Sequence, residues 1–429
     1  MRTLVFLTRI HISDNKVLVV LRCAAIGADI LTVHRDELPS LMEPLLIGEG
    51  SPHRGELTDL AIELTHKSAG FCRSLPPSVL ASLADLVRAM NCYYSNLIEG
   101  HNTHPIEIER ALKGEYSHDA GKRNLQQEAQ AHIAVQQWID AGGLKGRRAL
   151  SADGICETHY RFCVHLPEDL LWVEDPKTHE RIRVIPGKLR ERDVQVGRLV
   201  AISPGALPRF LQRFEEVYTK VGKAEAIIST AAAHHRLLWM HPFPDGNGRV
   251  ARLVSHAVLL EALDTGALWS VARGLARNVD KYKEHLSNCD LTRRKDLDGR
   301  GTLSEEALVD FTRFFLTVCI DQVTFMEGLI QPDRLHARIL QWADEETRVK
   351  SLPPRAGAIL EAVLYRGELP RGDADVVLGT GDRHARRIVS VLLEKGILTS
   401  ENPRAPLRLR FPAELAGRWM PGLFPEQDN

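Results

Sequence analysis

HPFPDGNGRVAR, His241 to Arg252, is the stretch on which the reading of this chain turns. Upstream of it Ile227, Ile228, Ala231 and Leu238 recur at helical spacing, and downstream Val250, Leu253, Val254 and Ala257 repeat at i, i+3, i+4 and i+7. The stretch is therefore a tight connection between two buried helices. Pro242 pushes His241 out of the right-handed helical region and ends the first helix, while Gly246, Asn247 and Gly248 tolerate positive φ. A loop of that kind running into a helix N-terminus makes an anion-binding nest.

The polar residues of the stretch fit such a nest. His241 is placed to act as general base for a hydroxyl near a bound phosphate; a capping or core histidine is the plain alternative. Asp245 suits Mg²⁺ bridging phosphates, because that ion takes hard oxygen ligands and only one or two protein carboxylates; a turn-forming Asp is its alternative. Arg249 and Arg252 fall at the start of a helix, where a cation opposes the macrodipole at a cost of up to about 1 kcal/mol each. An anionic partner is expected for them.

Upstream, PSVLASLADLVRAMNCYYSNLIEG from Pro77 reads as a helix with Leu80, Leu83, Leu86 and Val87 on one face and Gly100 closing it. Glu99 is the mirror image of the arginines, a carboxylate at the negative end of a helix. Two disfavoured charges of opposite sign suggest one pair.

HPFPDGNGRVAR is similar, without a mismatch, to the signature of the Fic-domain family, HxFx(D/E)GNGRxxR. Members typically transfer AMP from ATP to a Ser, Thr or Tyr hydroxyl of a target protein. The resemblance implies a mainly α Fic-type helical bundle with a small β-hairpin flap. It implies His241 as the catalytic base, Asp245 as the Mg²⁺ ligand, and Phe243, Gly246, Asn247, Gly248, Arg249 and Arg252 around ATP, with Arg252 reaching the γ end. SNLIEG, Ser95 to Gly100, resembles the family's inhibitory-helix pattern (S/T)xxxE(G/N), so Glu99, with Ser95, would hold Arg252 and autoinhibit the enzyme. GKLRERDVQVGR, Gly187 to Arg198, looks like the flap, with Lys188, Leu189, Arg190, Val194, Gln195 and Val196 as the target-docking residues. An exposed hairpin edge can hold a target by strand addition.

The organisation expected along the chain follows. Residues 1–41 are an uncertain N-terminal extension, Met42 being an alternative start. Residues 42–145 are a helical region with the inhibitory helix at about 78–100, and 146–335 the Fic core with its flap at about 187–202. Between Leu170 and Ile202 short β-type runs, separated by turn clusters such as DPKT, read as one small insertion. Residues 336–354 read as a charged linker, and 355–429 as a winged helix-turn-helix domain.

With 44% hydrophobic and 26% charged residues, the 429-residue chain has the composition of a globular protein of two or three domains. Its 55 basic and 56 acidic side chains give no global attraction to nucleic acid or to a membrane surface. Seven scattered cysteines without a C-x-x-C pair argue against a disulfide framework or structural zinc and for a cytoplasmic protein. No run reaches the length of a membrane span. In the tail the expected recognition helix presents Arg383, His384, Arg386 and Arg387, yet residues 351–429 hold 11 Lys/Arg against 10 Asp/Glu, which favours a protein-interaction role over DNA binding. DLDGRGTLSEEA, from Asp296, lacks the acidic residue an EF-hand needs at position 12. His234 and His235 have no zinc-like spacing.

The reading is thus a protein adenylyltransferase using ATP and Mg²⁺ on a protein substrate, with self-modification and a homodimer as further expectations. The alternatives are removal of AMP, in which Glu99 would activate water, transfer of another nucleotide, or a DNA-binding regulator working through the tail.

Overall fold

The computed structural model describes residues 19–20, 36–70, 75–174, 179–263 and 265–425. The chain is mainly helical. Helices α1 (Arg54–Ser68), α2 (Pro77–Ile98), α3 (Pro105–Leu112), α4 (Ala120–Asp140) and α5 (Ala152–Cys163) precede two small β elements. Helices α6 (Leu207–Tyr218), α7 (Lys223–Met240), α8 (Asn247–Leu263), α9 (Val271–Arg277), α10 (Val279–Cys289), α11 (Glu305–Ile330) and α12 (Pro332–Arg348) follow them. The tail adds α13 (Ala356–Arg366), α14 (Ala374–Leu378), α15 (Asp382–Glu394) and α16 (Ala416–Trp419).

The bundle is centred on α7 and α8, the two helices joined by the signature loop. Both are buried almost all round, as apolar faces on more than one side of each require. Pro77 opens α2 where its missing N–H costs nothing. Gly100, at φ 86°, lets His101 N reach back to Asn96 O at 2.9 Å and closes the helix as its position predicts. That closure puts Glu99 at the C-cap. Helix α4 begins earlier than its apolar pattern suggests, because the Asp119 carboxylate accepts from Lys122 N at 2.8 Å.

The single β insertion expected between 170 and 202 is two separate elements. Strands β2 (Trp172–Glu174) and β3 (Arg181–Arg183) pair antiparallel, and the DPKT cluster between them lies outside the described residues. Strands β4 (Gln195–Val196) and β5 (Leu199–Val200) form the flap hairpin, and β1 (Val19–Val20) pairs antiparallel with the other edge of β4. Most of residues 1–41 lie outside the described residues. Those that are described are tied to the body: Ser203 N donates to Glu37 Oε2 at 2.9 Å and Arg209 Nε to Glu37 O at 2.7 Å.

The linker expected at 336–354 is a helix for most of its length. Leu335, Ile339, Trp342 and Ala343 recur at i, i+4, i+7 and i+8 and are buried, so α12 runs straight through the presumed boundary. Its high charge is the solvated face of an amphipathic helix, which reads as a linker only if the apolar stripe is overlooked. The tail holds α13, α14 and α15 and an antiparallel sheet of β6 (Glu368–Leu369), β8 (Leu407–Leu409) and β7 (Leu398–Thr399), in that order. Arg383, His384, Arg386 and Arg387 are exposed on α15, with Arg386 paired to Asp382 at 2.7 Å.

The tail packs on α2. Ser78 Oγ donates to Gly367 O at 2.8 Å, and Tyr94 OH to Leu423 O at 3.2 Å. Among the described residues no single helix is long and apolar enough to cross a membrane.

Candidate active site

His241 is the C-cap of α7 and sits in the left-handed region, φ 48° and ψ 62°. Pro242 disfavours the right-handed alternative. The left-handed form costs a non-glycine residue roughly 1–2 kcal/mol, so the surroundings must hold it. Four residues on, Asn247 closes the loop: its Oδ1 accepts from Phe243 N at 3.0 Å and its Nδ2 donates to Phe243 O at 2.8 Å. Gly246, at φ 79°, then turns the chain into α8.

Two residues expected to lie around the nucleotide brace the loop in this structure. Phe243 is fully buried and stacks face to face on His159, with centroids 3.8 Å apart. Asn247 is 3% exposed, with its amide spent on the loop backbone. Asn and Phe fit the motif because a two-sided amide and a flat ring hold a loop that has few backbone hydrogen bonds of its own.

The two arginines diverge rather than sharing a partner. Arg252, 3% exposed, donates from Nε to Ser95 Oγ at 2.9 Å and from Nη2 to Ser95 O at 3.1 Å and to Glu99 Oε1 at 2.5 Å. A Cβ placed on Gly248 would collide with that same Glu99 oxygen. The carboxylate thus occupies the mouth of the nest, at the N-terminus of α8, where an anion is favoured.

Arg249 is held between Asp245, at 3.0 Å from Nη2, and Glu128 of α4, which pairs with Nη1. Glu128 is 1% exposed, and its other oxygen meets His101 Nδ1 at 2.8 Å. Burial alone would raise the Glu128 pKa, but Arg249 and His101 outweigh it and hold the carboxyl below its usual range. His101 is raised by its bond to Glu128. Glu128 and His101 were not found by reading the sequence. A glutamate in the middle of a polar helix looks like a solvated residue, and only tertiary packing shows it turned inward.

Burial, reinforced by Arg190, lowers His241 to about 4, so the imidazole is neutral at pH 7 and able to accept a proton. Arg249 and the Gly246 N–H hold Asp245 low against the effect of burial. His159, missed by the sequence, is buried and lowered to about 4, chiefly by desolvation. Its Nδ1 accepts from Gly187 N at 2.9 Å, tying the base of the flap to α5.

Within the flap, Arg190 and Val194 are buried, 3% and 2% exposed, and Leu189 packs against the core. Those three side chains hold the flap in place rather than standing free on its surface, so a target would meet Leu189 and Val194 only as walls of a cleft. Lys188 is exposed and pairs with Glu191 at 2.6 Å. Gln195 and Val196 lie in β4, whose two edges pair with β1 and β5. Strand addition at β4 is therefore blocked in this structure, and β1 and β5 are the outer strands. Between the two hairpins Val173, Ile182, Leu189, Val194 and Pro244 line a cleft of ≈ 90 Å³.

The remaining polar clusters are structural. His234 bonds Ser255 Oγ at 2.9 Å and Tyr282 OH at 2.6 Å, and His235 bonds Asp290 at 2.9 Å. Asp298 receives Ser304 Oγ at 3.0 Å and Glu306 N at 2.8 Å at the start of α11, so the EF-hand-like stretch is a helix-capping turn. Five cysteines, Cys92, Cys156, Cys163, Cys289 and Cys319, are free thiols; Cys23 and Cys72 lie outside the described residues.

Fold and site together define a helical protein with an anion-binding loop at a helix N-terminus, closed by a carboxylate from a neighbouring helix. Residues 150–259 match the model of the Fic/DOC family, so this part of the chain is a Fic domain. It is 27% identical over 172 residues to a "Protein adenylyltransferase Fic" of Drosophila erecta, which covers 40% of this chain and 32% of that one. It is 28% identical over 173 residues to the protein of the same name from Nematostella vectensis, covering 40% and 37%. The aligned region thus spans about a third of those relatives' length. In fold the chain resembles a Fic family protein from Desulfovibrio desulfuricans, with TM-score 0.50 and 15% identity over 85% of this chain and 98% of that one.

Proposed function

We propose that this chain is a protein adenylyltransferase that transfers AMP from ATP to a side-chain hydroxyl of a target protein, and that Glu99 holds it inactive at rest. The observation that carries the reading is the Glu99 carboxylate in the mouth of the nest, bonded to Arg252. A built-in anion at that point indicates a site made for a more highly charged one. The names of the relatives support AMP transfer at the level of the family.

In this reading neutral His241 takes the proton of the target hydroxyl as its oxygen attacks the α-phosphorus; the bond to the pyrophosphate oxygen breaks and pyrophosphate leaves. The α8 N-terminus and Arg249 balance the phosphate charge, and Arg252 takes the γ end once Glu99 withdraws. Asp245 suits Mg²⁺: its carboxylate is half-exposed and only one of its oxygens is engaged by Arg249. Among the described residues no group of three His, Cys, Asp or Glu could hold a metal, so phosphate oxygens would complete the coordination. When bound, the ion would offset charge on the phosphates. The cleft between the hairpins borders Pro244 and suits an apolar residue of the target beside the modified hydroxyl.

The test uses ATP labelled at the α- or the γ-phosphate with the Glu99→Gly protein and cell lysate. Protein labelling from the α label alone, lost in Glu99→Gly/His241→Ala, is the expected result. Labelling from the γ label, or labelling that persists without His241, would refute the reading.

A further inference from the structure

The flap contains a buried guanidinium that the reaction outlined above does not use. Arg190 is 3% exposed. Its Nε donates to His241 O at 2.7 Å, its Nη1 to Arg192 O at 2.8 Å, and its Nη2 to Ile202 O at 2.5 Å and Met240 O at 3.3 Å. Its own backbone N–H donates to Pro242 O at 2.9 Å. One flap residue therefore binds three consecutive carbonyls, those of Met240, His241 and Pro242.

Those carbonyls need a partner. The last C=O groups of α7 have no acceptor role left within their helix, and Pro242 cannot carry the helix onward. A cation at a helix C-terminus is also favoured by the dipole. The planar guanidinium fork serves several carbonyls at once, which an ammonium cannot do.

We propose that Arg190 is a positioning residue for AMP transfer, fixing the backbone of His241 in its left-handed conformation so that the imidazole is presented to the target hydroxyl. The inference rests on the adenylyltransferase reading for its role in turnover, though not for the contacts themselves. It gives the flap a second task besides lying beside the target: its inner face sets the geometry of the base. Three charged groups act on the imidazole: Arg190 from the flap, Asp245 from the signature loop and Glu99 from the end of α2. Burial is the largest influence holding His241 low, and Arg190 adds to it, whereas the two carboxylates act the other way.

The test compares Arg190→Gln and Arg190→Lys, each in the full-length Glu99→Gly protein. Misplacing a catalytic group by about 1 Å costs on the order of 100-fold, so kcat should fall by at least ~10-fold. KM for ATP should stay within ~2-fold, because the carbonyls that Arg190 binds at the end of α7 precede the nest in the chain. The acid limb of the pH profile should move to higher pH in Arg190→Gln, where the cation is gone. In Arg190→Lys it should stay put while kcat remains low, since the charge is kept and the fork is lost.

An ATP KM that rises with kcat unchanged, or full kcat in both variants, would overturn the proposal. Isotope-labelled histidine NMR, with His241→Ala assigning the signal, reads the imidazole titration without turnover. An upward shift in Arg190→Gln supports the assignment, and an unmoved titration refutes it. Should Glu99→Gly itself show no transfer, the enzymatic reading fails while this titration still decides the contact. If Arg190→Gln does not fold, Arg190→Lys carries the kcat comparison.

Discussion

Replacing Glu128 by alanine removes a buried carboxylate that holds two cations at once. Its oxygens serve Arg249 and His101, and the residue is 1% exposed. Breaking a buried ion pair by deleting one partner costs roughly 3–5 kcal/mol, because the other charge is left in the protein interior. Arg249 retains Asp245 at 3.0 Å, a carboxylate that is half-exposed and so a weaker partner. The lower end of the range, about 3 kcal/mol, is therefore expected for Glu128→Ala. Glu128→Gln keeps the shape and one acceptor and should cost less. Urea unfolding measures both as a lower midpoint at unchanged slope. A loss below ~1 kcal/mol, the range of solvent-exposed ion pairs, would refute the reasoning and place Glu128 effectively in water.

Two further outcomes follow from the same geometry. Asn247→Ala orphans the buried N–H and C=O of Phe243 and should destabilise the protein by ~2–4 kcal/mol; a raised KM for ATP at unchanged thermal stability would instead make Asn247 a nucleotide ligand. His132 and His234 are lowered to about 3, and His159 and His241 to about 4, in each case chiefly by burial. Below about pH 6.5 the unfolded chain takes up protons at these four positions while the folded one does not. The contribution of these four groups should therefore be level above that pH and fall on acidification towards pH 4, each by on the order of 1 kcal/mol per pH unit, with His101, raised by Glu128, working in the opposite sense. Chemical denaturation at pH 7, 6 and 5 checks the slope, and a stability that rose between pH 6 and 5 would contradict it.

Much of this was legible because short-range chemistry fixes it. Pro242, Gly246 and Gly100 can do few things, and the helices they bound fall within a few residues of where periodicity puts them. The pairing of Glu99 with Arg252 was readable as two charges each at the wrong end of a helix. What escaped depends on packing across the chain. Glu128, His101 and His159 gain their roles only when α4, α5 and the flap meet the signature loop. Arg190 looks like a surface residue of a hairpin, and nothing local shows it buried against the end of α7. Helix α12 was mistaken for a linker because its charge is conspicuous and its four apolar residues are widely spaced.

The central claim is that Glu99 holds Arg252 away from its substrate. The most direct measurement is the rate of AMP incorporation into protein by Glu99→Gly relative to the unaltered chain at equal concentration. A gain of at least ~10-fold is expected if the carboxylate withholds ~1.4 kcal/mol or more of the Arg252 interaction from the reaction. Equal rates, with His241→Ala inactive in both backgrounds, would contradict the account.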